Sequence, residues 1–204
     1  MITIVDYGLG NIRAFQNMYK RMGVETRSAR TADELCNAER IVLPGVGAFD
    51  HAMELLDASG MRGTLDELVL GHSVPILGVC VGMQILAESS EEGVRKGLGW
   101  IKGSVRHFKS EPATNGLPLP HMGWNDVTTA EADPLFNSLE TGSRFYFLHS
   151  YYFECAQPQE VTARAQYGAN FTCAVKSGKI RGVQFHPEKS HHYGAQLLKN
   201  FADN

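Results

Sequence analysis

Short apolar runs alternate with amphipathic stretches through the first half of the chain. Ile2-Thr3-Ile4-Val5 predicts a strand, and residues 11–22 carry Ile12, Phe15, Met18 and Tyr19 at helical spacing. A strand near residues 24–28, a helical piece from Thr31 and a buried strand at Ile41-Val42-Leu43 follow. Residues 49–58 and 61–70 read as helices, and Pro75-Ile76-Leu77-Gly78-Val79 reads as a buried strand that hands over to a helix near Val81. This βαβαβ order predicts a parallel sheet covered by helices. From Gly99 onward strands dominate, at 100–108, 124–128, 144–149, 161–166, 171–175 and 180–184, with Ser177-Gly178-Lys179 as a hairpin turn and a last helix over 193–201. The polar, turn-rich segment from Lys109 to Gly116 reads as a surface loop and not as a linker. The expected architecture is one α/β domain over residues 1–204, with a mixed, mainly parallel central sheet and additional antiparallel strands in its second half.

Within that pattern, Gly78-Val79-Cys80-Val81-Gly82 stands where a buried strand turns into a helix. A residue at the centre of such an elbow is presented and not buried, because small flanking residues let the backbone turn sharply. Cysteine there is a candidate nucleophile. Its thiol has an ordinary pKa of about 8.5, which a helix N-terminus or a cationic neighbour lowers. Small residues around a cysteine also serve plain helix–sheet packing, so the elbow is not decisive alone.

Two further segments add to it. Gly182-Val183-Gln184-Phe185-His186-Pro187-Glu188 is a short apolar strand ending in polar residues. Pro187 biases His186 away from helix, and residues i and i+2 of extended chain share a face, so His186 and Glu188 can point into one site. His186 would then act as base and acid toward Cys80, with Glu188 orienting the imidazole. Pro44-Gly45-Val46-Gly47-Ala48 follows the third strand as a loop able to expose backbone N–H groups. Val46, Gly47 and Val81 are thus oxyanion-hole candidates, although the loop also reads as a simple strand-to-helix turn.

Pro44-Gly45-Val46-Gly47, Gly78-Val79-Cys80-Val81-Gly82-Met83-Gln84 and Gln184-Phe185-His186-Pro187-Glu188-Lys189-Ser190, in this order, resemble the class I, triad-type glutamine amidotransferases. Asp6-Tyr7-Gly8, Gly10-Asn11-Ile12, Pro120-His121-Met122-Gly123-Trp124-Asn125 and Tyr146-Phe147-Leu148-His149-Ser150-Tyr151 are similar to the glutaminase subunits of imidazole glycerol phosphate synthases. The resemblance implies a flavodoxin-like fold and a subunit that hydrolyses L-glutamine through a glutamyl thioester. It further implies that ammonia passes to a cyclase subunit of β/α-barrel type in a heterodimer of histidine biosynthesis. It carries Gln84, Ser150 and Tyr151 over as glutamine-binding residues, and Asn11, Trp124, Asn125 and Tyr146 as residues facing the partner. Apart from the resemblance, the Glu92 carboxylate is a natural partner for the substrate's ammonium group, and Lys189, next to the triad, can influence its field or meet the partner. Two neighbouring readings use the same triad, a glutaminase feeding a sugar amidotransferase and a stand-alone γ-glutamyl hydrolase. A third, a redox-sensing thiol protein, leaves His186-Pro187-Glu188 unexplained.

Composition narrows the class further. The 204 residues suffice for a full core, and a formal charge of −3 argues against a nucleic-acid surface. No apolar run approaches the roughly 20 residues that span a membrane, and the chain opens on a strand without a secretory leader, so a cytoplasmic enzyme is expected. Cys36, Cys80, Cys155 and Cys173 lack close pairing and are expected to be reduced. No cofactor or metal is expected, since the adjacent His191 and His192 point to different faces of a helix.

Overall fold

The computed structural model describes residues 1–129, 133–140 and 142–204. Its elements in chain order begin with β1 (Ile2–Val5), α1 (Ile12–Arg21), β2 (Thr26–Ala29), α2 (Ala32–Leu35), β3 (Ile41–Gly45), α3 (Phe49–Ala58) and α4 (Arg62–Asp66). After α4 come β4 (Ile76–Cys80), α5 (Val81–Gln84), β5 (Ser89–Ser90), β6 (Gly103–His107), β7 (His121–Asp126) and β8 (Thr128–Thr129). The chain ends with β9 (Arg144–His149), β10 (Tyr151–Cys155), β11 (Val161–Tyr167), β12 (Ala169–Ser177), β13 (Ile180–Val183) and α6 (His191–Asp203).

Every residue of β1, β3 and β4 is buried, the signature of strands covered on both faces. They form a parallel core in the order β2-β1-β3-β4-β13, which β12, β10 and β6 extend by antiparallel pairing. Strands β7 and β9 form a separate antiparallel pair. In α1 the apolar stripe buries Phe15 and Tyr19, and the Asn11 side chain caps the helix by accepting from the Ala14 N–H at 3.1 Å. Register places Gly45 opposite Cys80 and Val183 opposite Val79, so three strand ends meet at the carboxyl edge of the parallel core. Ligand sites in open parallel sheets lie at that edge.

Several boundaries differ from the sequence pattern, each for a local reason. The predicted 61–70 helix ends in a π-turn over Glu67–Gly71, where His72 N–H reaches back to the Glu67 carbonyl before Ser73 takes a positive φ. The predicted 100–108 strand starts only at Gly103, because Trp100 turns aside to donate to Asp66 at 2.7 Å. Phe108 leaves that strand in a 3₁₀ turn capped by the His107 ring. Strand β7 begins three residues before the predicted start at Trp124, and Val127 separates it from β8. β10 has no counterpart in the sequence pattern, since its apolar run continues that of β9 with only Ser150 between them. At Ser150 the chain crosses from the small sheet to the large one.

Candidate active site

Cys80 ends β4 with φ 56° and ψ −114°, a backbone state that a residue with a Cβ rarely adopts. Close packing enforces it. A Cβ on Gly82 would lie 1.9 Å from the Leu43 carbonyl oxygen, one on Gly78 2.5 Å from the Gly82 oxygen, and one on Gly45 2.4 Å from the Gly82 nitrogen. The glycines therefore let β3, β4 and α5 touch backbone to backbone. Strain of this kind costs on the order of 1–3 kcal/mol and persists only where the surroundings over-determine it.

The helix after the elbow is a single turn, Val81–Gln84, shorter than its sequence signature suggests. A helix this short supplies little macrodipole, so the polar neighbours of the sulfur come from elsewhere. His186 shares a cavity wall with Cys80, and Gln184 Nε2 lies 3.8 Å from Sγ. On its other side His186 Nδ1 meets Glu188 Oε1 at 2.8 Å, with both side chains nearly inaccessible to solvent. The turn is fixed by Ser190, whose hydroxyl donates to the His186 carbonyl at 2.6 Å and accepts from the Tyr146 N–H at 3.0 Å. Nothing in the sequence singles out Gln184 beyond its place in the motif; its approach to sulfur depends on the register of β13 against β4.

Burial alone would depress the His186 pKa, but hydrogen bonds to Cys80 and Glu188, with the charges of both groups, outweigh it and raise the value to about 10. A group raised from about 6.5 in the unfolded chain stabilises the fold fully below pH 6.5, and that contribution is lost as pH rises through the folded value. Glu188→Gln removes one of the two supports. The His186 titration is then expected to move down by at least about one pH unit, and the alkaline loss of stability to begin correspondingly earlier. Imidazole NMR and denaturant unfolding across pH check this; an unmoved titration would contradict the pairing.

A cavity of about 280 Å³ opens over Cys80 and His186, and Val46, Gly47, Val81, Gln84, Glu92, Ser150, Tyr151 and Lys189 line it with Pro120, Leu148 and His149. Gly47 holds φ 89°, which sets the course of the Val46-Gly47 loop. Gln84 is buried and spends its amide hydrogens inward, on the Gln184 Oε1 at 3.0 Å and the Tyr151 carbonyl at 3.3 Å. One Glu92 oxygen accepts the Phe49 N–H at 2.8 Å, capping α3, whose own N-cap Ala48 has no side chain for the task. Asp50 answers from α3 by accepting the Val94 and Arg95 N–H groups at 2.9 and 3.0 Å, so the segment bearing Glu92 is clamped from both sides.

The residues carried over as facing a partner divide by strand parity. Trp124 and Tyr146 are paired across β7 and β9, as are Met122 and Leu148, and Met122, Trp124 and Leu148 are exposed. Trp124 also stacks on His191 at 5.1 Å, and Lys189 Nζ lies 5.7 Å from the centre of the Tyr146 ring. Asn125 projects to the opposite face of β7, where its amide donates inward to the Gln166 carbonyl at 2.8 Å. Asn11 is exposed at the head of α1, with its side-chain oxygen engaged in capping. Among the described residues no cluster of His, Cys, Asp or Glu could hold a metal ion, and no helix is long and apolar enough to cross a membrane.

Residues 3–204 match the family model described as glutamine amidotransferase class-I. The chain is 59% identical over its whole length to a full-length protein of Bdellovibrio bacteriovorus, "Imidazole glycerol phosphate synthase subunit HisH". A protein of the same name from Leptospira interrogans is 52% identical, with 99% of each chain covered. Among solved structures, one described as a crystal structure of glutamine amidotransferase superposes with a TM-score of 0.75 at 19% identity, covering 99% of this chain and 97% of the other.

Proposed function

The chain belongs to the class-I glutamine amidotransferase family, and from that membership we propose how its site works. The protein is an enzyme, a glutaminase that hydrolyses L-glutamine to glutamate and ammonia. The observation that carries the residue assignments is the single cavity in which Cys80 and His186 meet the Val46-Gly47 loop and Val81. Cys80 Sγ attacks the carboxamide carbon with its proton already held on His186. Backbone N–H groups of Val81 and the Val46-Gly47 loop hold the oxygen as it becomes negative. The intermediate collapses, the C–N bond breaks, and His186 returns the proton to the departing ammonia, leaving a glutamyl thioester on Cys80. Water, deprotonated by His186, hydrolyses that thioester, and Glu188 keeps the imidazole aligned through both halves. Gln84, Glu92, Ser150 and Tyr151 bind glutamine, with the Glu92 carboxylate opposite its ammonium group. Residues 1–204 act as one domain in this reading.

The ammonia serves imidazole glycerol phosphate synthesis in histidine biosynthesis, a reading supported by the synthase named in the relatives above. Its receiver in this proposal is a β/α-barrel cyclase subunit forming a heterodimer with this chain. The exposed strip of Met122, Trp124 and Leu148 beside Tyr146 supports that docking face, because Leu148 also lines the catalytic cavity. A partner seated there would cover the apolar strip and close the cavity against loss of ammonia. Glutamine turnover is expected to rise roughly ten- to hundredfold from the isolated subunit to the complex with bound acceptor substrate, and ammonium salt is expected to support the cyclase without this subunit. Assays of the subunit alone, with cyclase, and with cyclase plus acceptor test this. Equal turnover in all three would refute the coupling.

A further inference from the structure

Two buried histidines outside the triad, His121 and His149, lie between β7 and the glutamine pocket, and their hydrogen bonds leave one arrangement of protons. His149 Nδ1 is 2.7 Å from the Tyr151 carbonyl, which can only accept, so Nδ1 carries the hydrogen. His149 Nε2 must then accept, and it does so from His121 Nδ1 at 3.0 Å. That leaves His121 Nε2 as an acceptor for the Asn125 amide at 3.2 Å. The amide orientation is fixed as well, because the same Asn125 nitrogen donates to the Gln166 carbonyl while its oxygen accepts the Asp126 N–H at 2.8 Å. Both rings are neutral: burial lowers the pKa of His121 to about 4 and that of His149 to about 3. His121 is held flat between Phe147 and Tyr167, at ring separations of 5.0 and 4.2 Å.

The chain does not stop at Tyr151. Its carbonyl also accepts from Gln84, which donates to Gln184, which in turn approaches the Cys80 sulfur. With both nitrogens of His149 spoken for, this ring on the cavity wall cannot serve as a second base toward substrate. We propose that His121 and His149 are positioning residues for glutamine: together they pin the Tyr151 peptide and Gln84, and they tie the pocket to the strand that bears Trp124. This rests on the glutaminase reading above and adds to it the elements that hold the substrate-binding wall. Replacing His149 by a ring of similar shape without nitrogens removes one of the two donors to the Tyr151 carbonyl, and replacing His121 removes the donor that holds His149 Nε2, while the aromatic packing is kept. Loss of position should weaken glutamine binding more than it harms the nucleophile.

The test uses the complex with the cyclase subunit and the variants His149→Phe, His121→Phe and Asn125→Val. In the two phenylalanine variants the KM for glutamine is expected to rise about tenfold or more while kcat falls less, and alkylation of Cys80 by iodoacetamide is expected to stay within about twofold of wild type. Asn125→Val, at a half-buried position, should shift KM in the same direction by less, and it keeps the test alive if the phenylalanine variants do not fold. Nitrogen-15 NMR of the wild-type imidazoles should show both rings protonated at Nδ1, the less favoured tautomer of a free histidine side chain. An unchanged KM in every folded variant, or an Nε2-protonated ring at either position, would overturn the proposal. A wild-type complex that hydrolyses no glutamine would instead overturn the reading on which it rests, and the tautomer spectrum distinguishes the two failures.

Discussion

Cys80→Ala is expected to lower glutamine hydrolysis by roughly 10⁴-fold or more while leaving the fold intact. The size of the loss follows from the site. In the proposed reaction the sulfur is the atom that bonds to substrate, His186 faces the same cavity, and no other cysteine lines it. Cys36 is exposed elsewhere, while burial pushes the Cys155 thiol up to about 12 and raises that of Cys173 further, so neither makes a ready nucleophile. Stability should hardly change, because alanine meets the same positive φ at position 80 and gives up little side-chain volume. Turnover in the complex and thermal unfolding, measured on the same preparation, separate the two effects. Retention of a large part of wild-type activity would defeat the catalytic assignment.

Gly82→Ala should be as damaging to the molecule as the first change is to the chemistry. Its methyl group would sit 1.9 Å from the Leu43 carbonyl oxygen, a backbone atom that no rotamer change can move aside. Strands β3 and β4 are adjacent in the parallel core, so relief requires separating α5 from the sheet end that carries Cys80. Overpacking of this severity costs about 3 kcal/mol, equivalent to a Tm fall on the order of 10 °C for a chain of this size. Displacing Cys80 by as little as about 1 Å can cost a further 10²-fold in rate. A Tm within about one degree of wild type with full activity would show that the elbow does not need its close approach.

Segments carrying unusual backbone demands were legible in the sequence, and those depending on long-range register were not. Gly78, Cys80 and Gly82 announce a strained turn because small residues flank a cysteine where the pattern changes from strand to helix. His186 and Glu188 are separated by one proline, and local geometry alone brings them together at 2.8 Å. By contrast, the aromatic run from Phe145 to Phe153 reads as one continuous apolar stretch, and the crossing at Ser150 leaves no local mark. Asn125 and Trp124 look equivalent in sequence, yet the pleat sends one inward to His121 and leaves the other exposed. Glu92 reads as a loop carboxylate, and its capping of α3 depends on a helix 43 positions earlier in the chain. The paired histidines were invisible for the same reason, since β7 and β9 meet only in the folded sheet.

Whether Cys80 forms a covalent glutamyl thioester can be read from the intact mass of the enzyme quenched in acid during turnover with L-glutamine. A species heavier by one glutamyl group is expected, mapped by peptide fragmentation to Cys80 and absent from Cys80→Ala. Wild-type turnover with no acylated enzyme at any quench time, even in Glu188→Gln where deacylation is slowed, or an adduct on another residue, would contradict it.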